Sequence, residues 1–376
     1  MDFPPLFTGM PQHEFFPRYR ERYPSVAMAR SADPVPFPNG SPVELPQAFE
    51  CAGDTVDTAE FLLRTDTVAL LVLNNGEIRH EQYALTGGRD VHWISWSVAK
   101  SFVSALIGIA IADGHISGVH EPVRRYAPAL AGSAYGAVRI KDVLQMSSGA
   151  RWMEDYSDPT SDVHRLTVAM NGQMTLDDFV AGIGPEHEPG TLCRYNSADT
   201  QALGMVLRGA TGRSLADYME DKLVGPLGFE SAGYWLTDAT GVEMAFGGLM
   251  LTAHDFARLG ELYRLGGFWQ GRQVVPAGWV RDSVTADSPH VQPGAAMIAD
   301  DELTDGYGYQ WWLYDGPRGD YSAIGIYNQF VHVDPPSGTV VVKLSANRRY
   351  GTTPGEQSDR EHESRDFFRA IAARFD

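Results

Sequence analysis

From Val98 to Ala112 the chain reads as one apolar helix, with Phe102, Ala105, Leu106, Ile109 and Ala110 among its members. A helix this apolar does not lie on a surface, so the fold has to be arranged around it. At its start stands Ser97-Val98-Ala99-Lys100-Ser101. Three residues are close to one helical turn, which puts Ser97 and Lys100 on the same face. A serine hydroxyl becomes a nucleophile only when a base takes its proton, and a lysine can do so only when burial or a nearby cation keeps it neutral. The helix start would add backbone N–H groups and the positive end of the dipole near a developing oxyanion. The competing reading is a polar cap beside a solvated lysine, which the apolar residues that follow disfavour.

At 376 residues the chain is long enough for a large core, and 43% hydrophobic against 21% charged residues describes a globular protein. The formal net charge of −18 argues against nucleic acid or an anionic membrane as partner. The start, Met1-Asp2-Phe3-Pro4-Pro5, lacks the basic and apolar regions of an export signal, and no segment has the uninterrupted apolar length of a membrane span. Cys51 and Cys193 make no disulfide framework. The expectation is a cytoplasmic enzyme without metal or cofactor, acting on a small molecule, with a homodimer possible.

Residues 1–60 are rich in proline and predict an extended arm over the body. Thr67 to Leu73, Asn74-Asn75-Gly76 and Glu77 to Tyr83 predict strand, turn and strand. Residues 121–235 predict a mainly helical subdomain, including a helix that begins near Ser197. Thr252-Ala253-His254-Asp255 reads as a capping box opening a helix to Leu265. Strand-like runs follow at Tyr309 to Tyr314, Tyr327 to Val333 and Thr339 to Leu344, then a last helix carrying Phe367, Phe368, Ile371 and Phe375. The fold class is therefore α+β: an antiparallel sheet built from residues 61–120 and 236–376, flanked by helices, with a helical insertion.

Two more clusters carry chemistry. In Arg194-Tyr195-Asn196-Ser197 a tyrosine sits just before a helix, where a lysinium could make it a proton relay; a core tyrosine bonded to backbone is the plainer reading. In Ser322-Ala323-Ile324-Gly325-Ile326-Tyr327-Asn328-Gln329 a glycine within a strand would admit a substrate, and the next N–H could complete an oxyanion hole. The Gly-x-Ser-x-Gly elbow, a His-Glu-x-x-His zinc motif and nucleotide-binding glycine patterns are absent from the sequence.

This ordered set, with Glu154-Asp155-Tyr156-Ser157-Asp158-Pro159, Phe246-Gly247-Gly248 and Gln310-Trp311-Trp312, resembles the serine β-lactamase and penicillin-binding-protein superfamily. Within it the chain looks like the class C-related esterases, and most like the nylon-oligomer (6-aminohexanoate oligomer) hydrolases. The resemblance implies a β-lactamase/transpeptidase-like fold and a serine hydrolase. Ser97 would be the acylated nucleophile, Lys100 its proton acceptor and Tyr195 the proton donor to the leaving group. The N–H groups of Ser97 and Ile326 would form the oxyanion hole, and Asn196 or Ser197 would tune the lysine–tyrosine pair. Tyr156 would close over substrate, with Asn196, Gly325 and Trp312 also in the binding region.

The chain also departs from these relatives. Ala323 stands where β-lactamases carry Lys or His, which predicts poor β-lactam turnover. Thr167 stands where the nylon-oligomer hydrolases place a carboxylate for the substrate amine; Asp162 nearby could substitute only if the loop were rearranged. Small esters or amides are the expected substrates. The alternatives are a nylon-oligomer-type amidase, a weak β-lactamase, and a non-enzymatic sensor or scaffold that acylates without turnover.

Overall fold

The computed structural model describes residues 3–170, 172–295 and 305–376, apart from the side chains of residues 167 and 168. Helix α1, Ala99–Ala112, has every residue from Ala99 to Ala110 buried, as the lack of a polar face requires. A 3-10 turn, Trp96–Val98, precedes it, so Ser97 lies just ahead of the α-helix rather than within it. Gly108 allows the helix close to Trp279, whose ring a Cβ would meet at 2.4 Å.

The main sheet has seven strands, all paired antiparallel: β1 Thr67–Asn74, β2 Glu77–Tyr83, β3 Gly306–Tyr307, β4 Trp312–Leu313, β5 Tyr321–Gly325, β6 Gln329–Asp334 and β7 Thr339–Ser345, in the order β3-β4-β5-β6-β7-β1-β2. The sheet thus joins the two ends of the chain. Every residue of β1 is buried, because both faces are covered. Alternation sorts the side chains: Leu71, Leu73, Val340 and Val342 share a core with helix α3, Ala253–Arg264, while Leu70, Val72 and Val341 meet Phe367 and Phe368 of helix α4, Glu361–Ala372. Thr252 caps α3 by accepting the Asp255 N–H. In the β1–β2 turn Asn75 and Gly76 both take positive φ, the backbone that joins strands tightly.

The predicted strand from Tyr327 to Val333 differs at its start. Tyr327 and Asn328 have φ of 63° and 66° and turn the chain from β5 into β6, so Gly325 ends a strand rather than interrupting one. The first 60 residues also hold more structure than their prolines imply. Phe16–Glu21 is a 3-10 helix with Phe16 fully buried, and Ala48–Cys51 pairs with Asp54–Asp57. Ser25–Met28 contains no proline and forms the edge of a second sheet, followed by Gly233–Leu236, Leu249–Leu251 and Trp93–Ile94. Residues 121–235 include the helices Ile140–Leu144, Asp162–Met170, Leu176–Ala181, Leu215–Met219 and α2, Ser197–Thr211, which packs on α1. Among the described residues no helix is long and apolar enough to cross a membrane.

Candidate active site

The site begins with a strained residue. Trp96 has φ of 44°, in the left-handed region that costs a bulky side chain on the order of 1–3 kcal/mol. Rings hold it there: Phe16 and Tyr19 meet it edge-on at 5.6 and 5.5 Å, and Tyr327 stacks at 6.3 Å. This turn presents Ser97 to Lys100, whose Nζ lies 2.7 Å from Ser97 Oγ. The Lys100 ammonium is 1% exposed and also donates to Phe246 O at 3.0 Å and Ser197 Oγ at 3.2 Å. Burial lowers its pKa to about 8, against the opposing pull of Glu154. A substantial neutral fraction at slightly alkaline pH is what a proton acceptor for serine requires.

Behind Lys100 lies a carboxylate that the sequence reading quoted but left without a role. Glu154 is buried and accepts four hydrogen bonds. Ser197 N and Oγ donate at 2.9 and 2.6 Å, Tyr156 OH at 2.8 Å, and Trp152 Nε1 completes the set. The chain Glu154–Ser197–Lys100–Ser97 connects charge to nucleophile. Spacing could not reveal it, because Glu154 and Ser197 meet across 43 residues. Of the two neighbours expected to tune the lysine, Ser197 touches it. Asn196 caps α2 instead, its Oδ1 accepting from Ala198 N and Asp199 N at 2.8 and 3.3 Å and its Nδ2 donating to Tyr135 OH. Asn196 is buried and does not line the cavity at Ser97.

Tyr195 sits on the other flank, with its ring centroid 5.0 Å from Lys100 Nζ. Burial, then the charge of Glu154, raises its pKa well above the phenol range, while the Ser97 hydroxyl acts in the opposite direction. The group is therefore a phenol, not a phenolate. Trp312 stacks on it at 5.3 Å, so this tryptophan orients the tyrosine. Gly325 permits the end of β5 to approach the nucleophile: a Cβ there would lie 2.5 Å from Ser95 O and 3.0 Å from Ser97 N. Ile326, the next residue, lines a cavity of about 340 Å³ together with Ser97, Glu154, Tyr156, Ser197 and Phe246.

Tyr156 is half-buried at this cavity, its hydroxyl held by Glu154 and its ring stacked on Phe7 at 4.9 Å. The sequence reading expected a mobile loop here; in this structure the tyrosine is bonded to Glu154 and stacked on Phe7. Asp162 is no substitute for a missing carboxylate at position 167. It is buried, pairs with Arg151 and Arg165 at 3.3 and 2.9 Å, and accepts Met153 N. The side chain of Thr167 lies outside the described residues.

A serine–lysine pair at the foot of a buried helix, with a tyrosine on one flank and a glycine-ended strand on the other, is the arrangement of a hydrolase built on an antiparallel sheet with a helical insertion. The comparisons make the assignment specific: the chain belongs to the Beta-lactamase family, whose profile matches residues 58–364. It is 30% identical over 339 residues to the 6-aminohexanoate-dimer hydrolase of Paenarthrobacter ureafaciens, covering 88% of this chain and 84% of that one. A 6-aminohexanoate-dimer hydrolase candidate from Bacillus anthracis shares the fold with a TM-score of 0.84 at 23% identity, over 96% and 94% of the two chains. A family VIII carboxylesterase shares it at 0.59 and 15%, over 82% and 92%. The fold is β-lactamase/transpeptidase-like, and the protein is a hydrolase of this family.

Proposed function

We propose that the protein cleaves small carboxylic esters and amides through an acyl-enzyme on Ser97. The observation that carries this is the 2.7 Å contact between Ser97 Oγ and a buried Lys100 whose pKa is lowered to about 8. Neutral Lys100 takes the hydroxyl proton as Ser97 attacks the carbonyl carbon. The N–H groups of Ser97 and Ile326 receive the oxyanion, and Tyr195 protonates the departing alkoxide or amine. Water then attacks the acyl carbonyl, returning the proton through the same groups. Support comes from an amide hydrolase among the relatives and a carboxylesterase among the structural neighbours. Ala323, with no cation for a β-lactam carboxylate, favours esters and amides over cephalosporins.

The test combines fluorophosphonate labelling with turnover of a p-nitrophenyl butyrate, a linear amide oligomer and a cephalosporin. Ser97→Ala, Lys100→Ala and Tyr195→Phe are each expected to lose on the order of a thousandfold or more in kcat, with double variants far from additive. Ser97→Ala retaining most activity refutes the assignment. Labelling of Ser97 without product release indicates an acylable sensor.

A further inference from the structure

The residues 5–23 are not a passive arm, because they form one wall of the cavity at Ser97. Pro5, Leu6, Phe7, Tyr19, Arg22 and Tyr23 all line it. The wall is fixed to the catalytic segment: Phe7 N donates to Tyr327 OH at 2.7 Å, Phe7 stacks between Tyr156 and Tyr327, and Tyr19 packs against strained Trp96. Arg22 is exposed and lines this cavity, so its guanidinium is at the rim. The guanidinium carbon lies 5.2 Å from the Tyr23 ring and 5.6 Å from the Phe3 ring, and one N–H also meets the Tyr23 hydroxyl, contacts that hold the cation at this edge and leave its remaining N–H groups for a ligand.

Among the described residues Arg22 makes no ion pair, and the nearest acid in sequence, Glu21, is already held by Arg18 at 2.5 Å. Among the described residues that line the cavity, Arg22 is the one permanent cation. The one carboxylate in that lining, Glu154, is saturated by four donors. On a chain of net charge −18, an anionic group would be repelled wherever no local cation receives it. Tyr195, the proposed donor to the leaving group, is not part of this lining, which suits the cavity to the acyl half of the substrate.

We propose that Arg22 binds a carboxylate at the far end of the acyl chain, making the preferred substrates half-esters or half-amides of short linear dicarboxylic acids. This rests on the hydrolase reading above and narrows its substrate class. A planar guanidinium donates two parallel N–H···O bonds to a carboxylate, which gives orientation as well as attraction.

The experiment compares kcat/KM for mono-p-nitrophenyl adipate with that for its neutral methyl ester, as a ratio within each protein so that differences in folded fraction cancel. Wild type is expected to favour the anionic ester by roughly three- to tenfold, the range for one charged pair near the surface, and less at high salt. The ratio should fall to about one or below in Arg22→Gln, stay above one in Arg22→Lys and drop below the Gln value in Arg22→Glu. A wild-type ratio of one or less, or a ratio unchanged across the three variants, overturns the proposal and leaves the hydrolase reading standing. Failure to turn over either ester, with no fluorophosphonate label on Ser97, overturns both.

Discussion

Replacing Glu154 with glutamine keeps the shape of the side chain and removes its charge, which isolates what that charge does to Lys100. The carboxylate oxygen is 2.6 Å from Ser197 Oγ, and Ser197 Oγ is 3.2 Å from Lys100 Nζ, so the two charges are at most about 5.8 Å apart. At an effective dielectric of about 20 that separation corresponds to roughly 3 kcal/mol, or close to two pKa units. Burial alone pushes the lysine down and Glu154 holds it up, with the balance at about 8. The base is the neutral form, so wild-type kcat/KM should rise with pH through about 8 and be lost as pH falls below it. In Glu154→Gln the same limb should move to lower pH by roughly one to two units. The plateau should drop as well, because an amide cannot accept all four donors that converge on the carboxylate. The assay is a pH–rate profile of p-nitrophenyl ester hydrolysis under kcat/KM conditions, with circular dichroism to confirm folding. An inflection that stays at 8 or moves upward would refute the electrostatic argument, whatever happened to the plateau.

Two further substitutions probe the frame around the site. Gly325→Ala places a methyl 2.5 Å from Ser95 O and 3.0 Å from Ser97 N, so the nucleophile segment must move. A displacement near 1 Å should lower kcat by about a hundredfold while the thermal midpoint falls only modestly; unchanged turnover would mean that the close approach is incidental. Lys343 is fully buried on β7 beside Ser345, and burial lowers its pKa to about 7 against the pull of Glu363. The unfolded chain holds that proton up to the ordinary lysine range and the folded protein releases it near 7. Stability should therefore rise as pH increases from about 7 toward 10. Lys343→Met should raise neutral-pH stability by on the order of 2 kcal/mol in urea unfolding and flatten that rise, and a destabilised variant would show that the lysine contributes net binding.

Most of the secondary structure was legible because it rests on local rules. The apolar run from Val98 announced a buried helix, Asn75-Gly76 a tight turn, and Thr252 with Asp255 a helix start. The spacing of Ser97 and Lys100 placed both on one side of the helix start, and the order of the motifs gave the family. What local rules could not supply was whatever depended on distant residues. Asn196 looked like a site residue because it is next to Ser197, but the N–H groups of a helix start claim its oxygen. Tyr156 looked like a loop residue without partners because it lies among acidic residues, whereas the structure bonds it to Glu154 and stacks it on Phe7. Glu154 had no visible role because its partner Ser197 arrives from another part of the chain. The proline-rich start read as an arm because prolines forbid ladders locally, yet the stretch between them supplies an edge strand and the wall that carries Arg22. Sequence by itself determined which elements form and which chemistry is possible, since propensity, capping and hydrophobic period act over a few residues. Only the tertiary structure decided the lysine's pKa, the partners of each polar group and the shape of the cavity, because burial and charge–charge distance are properties of segments brought together by folding.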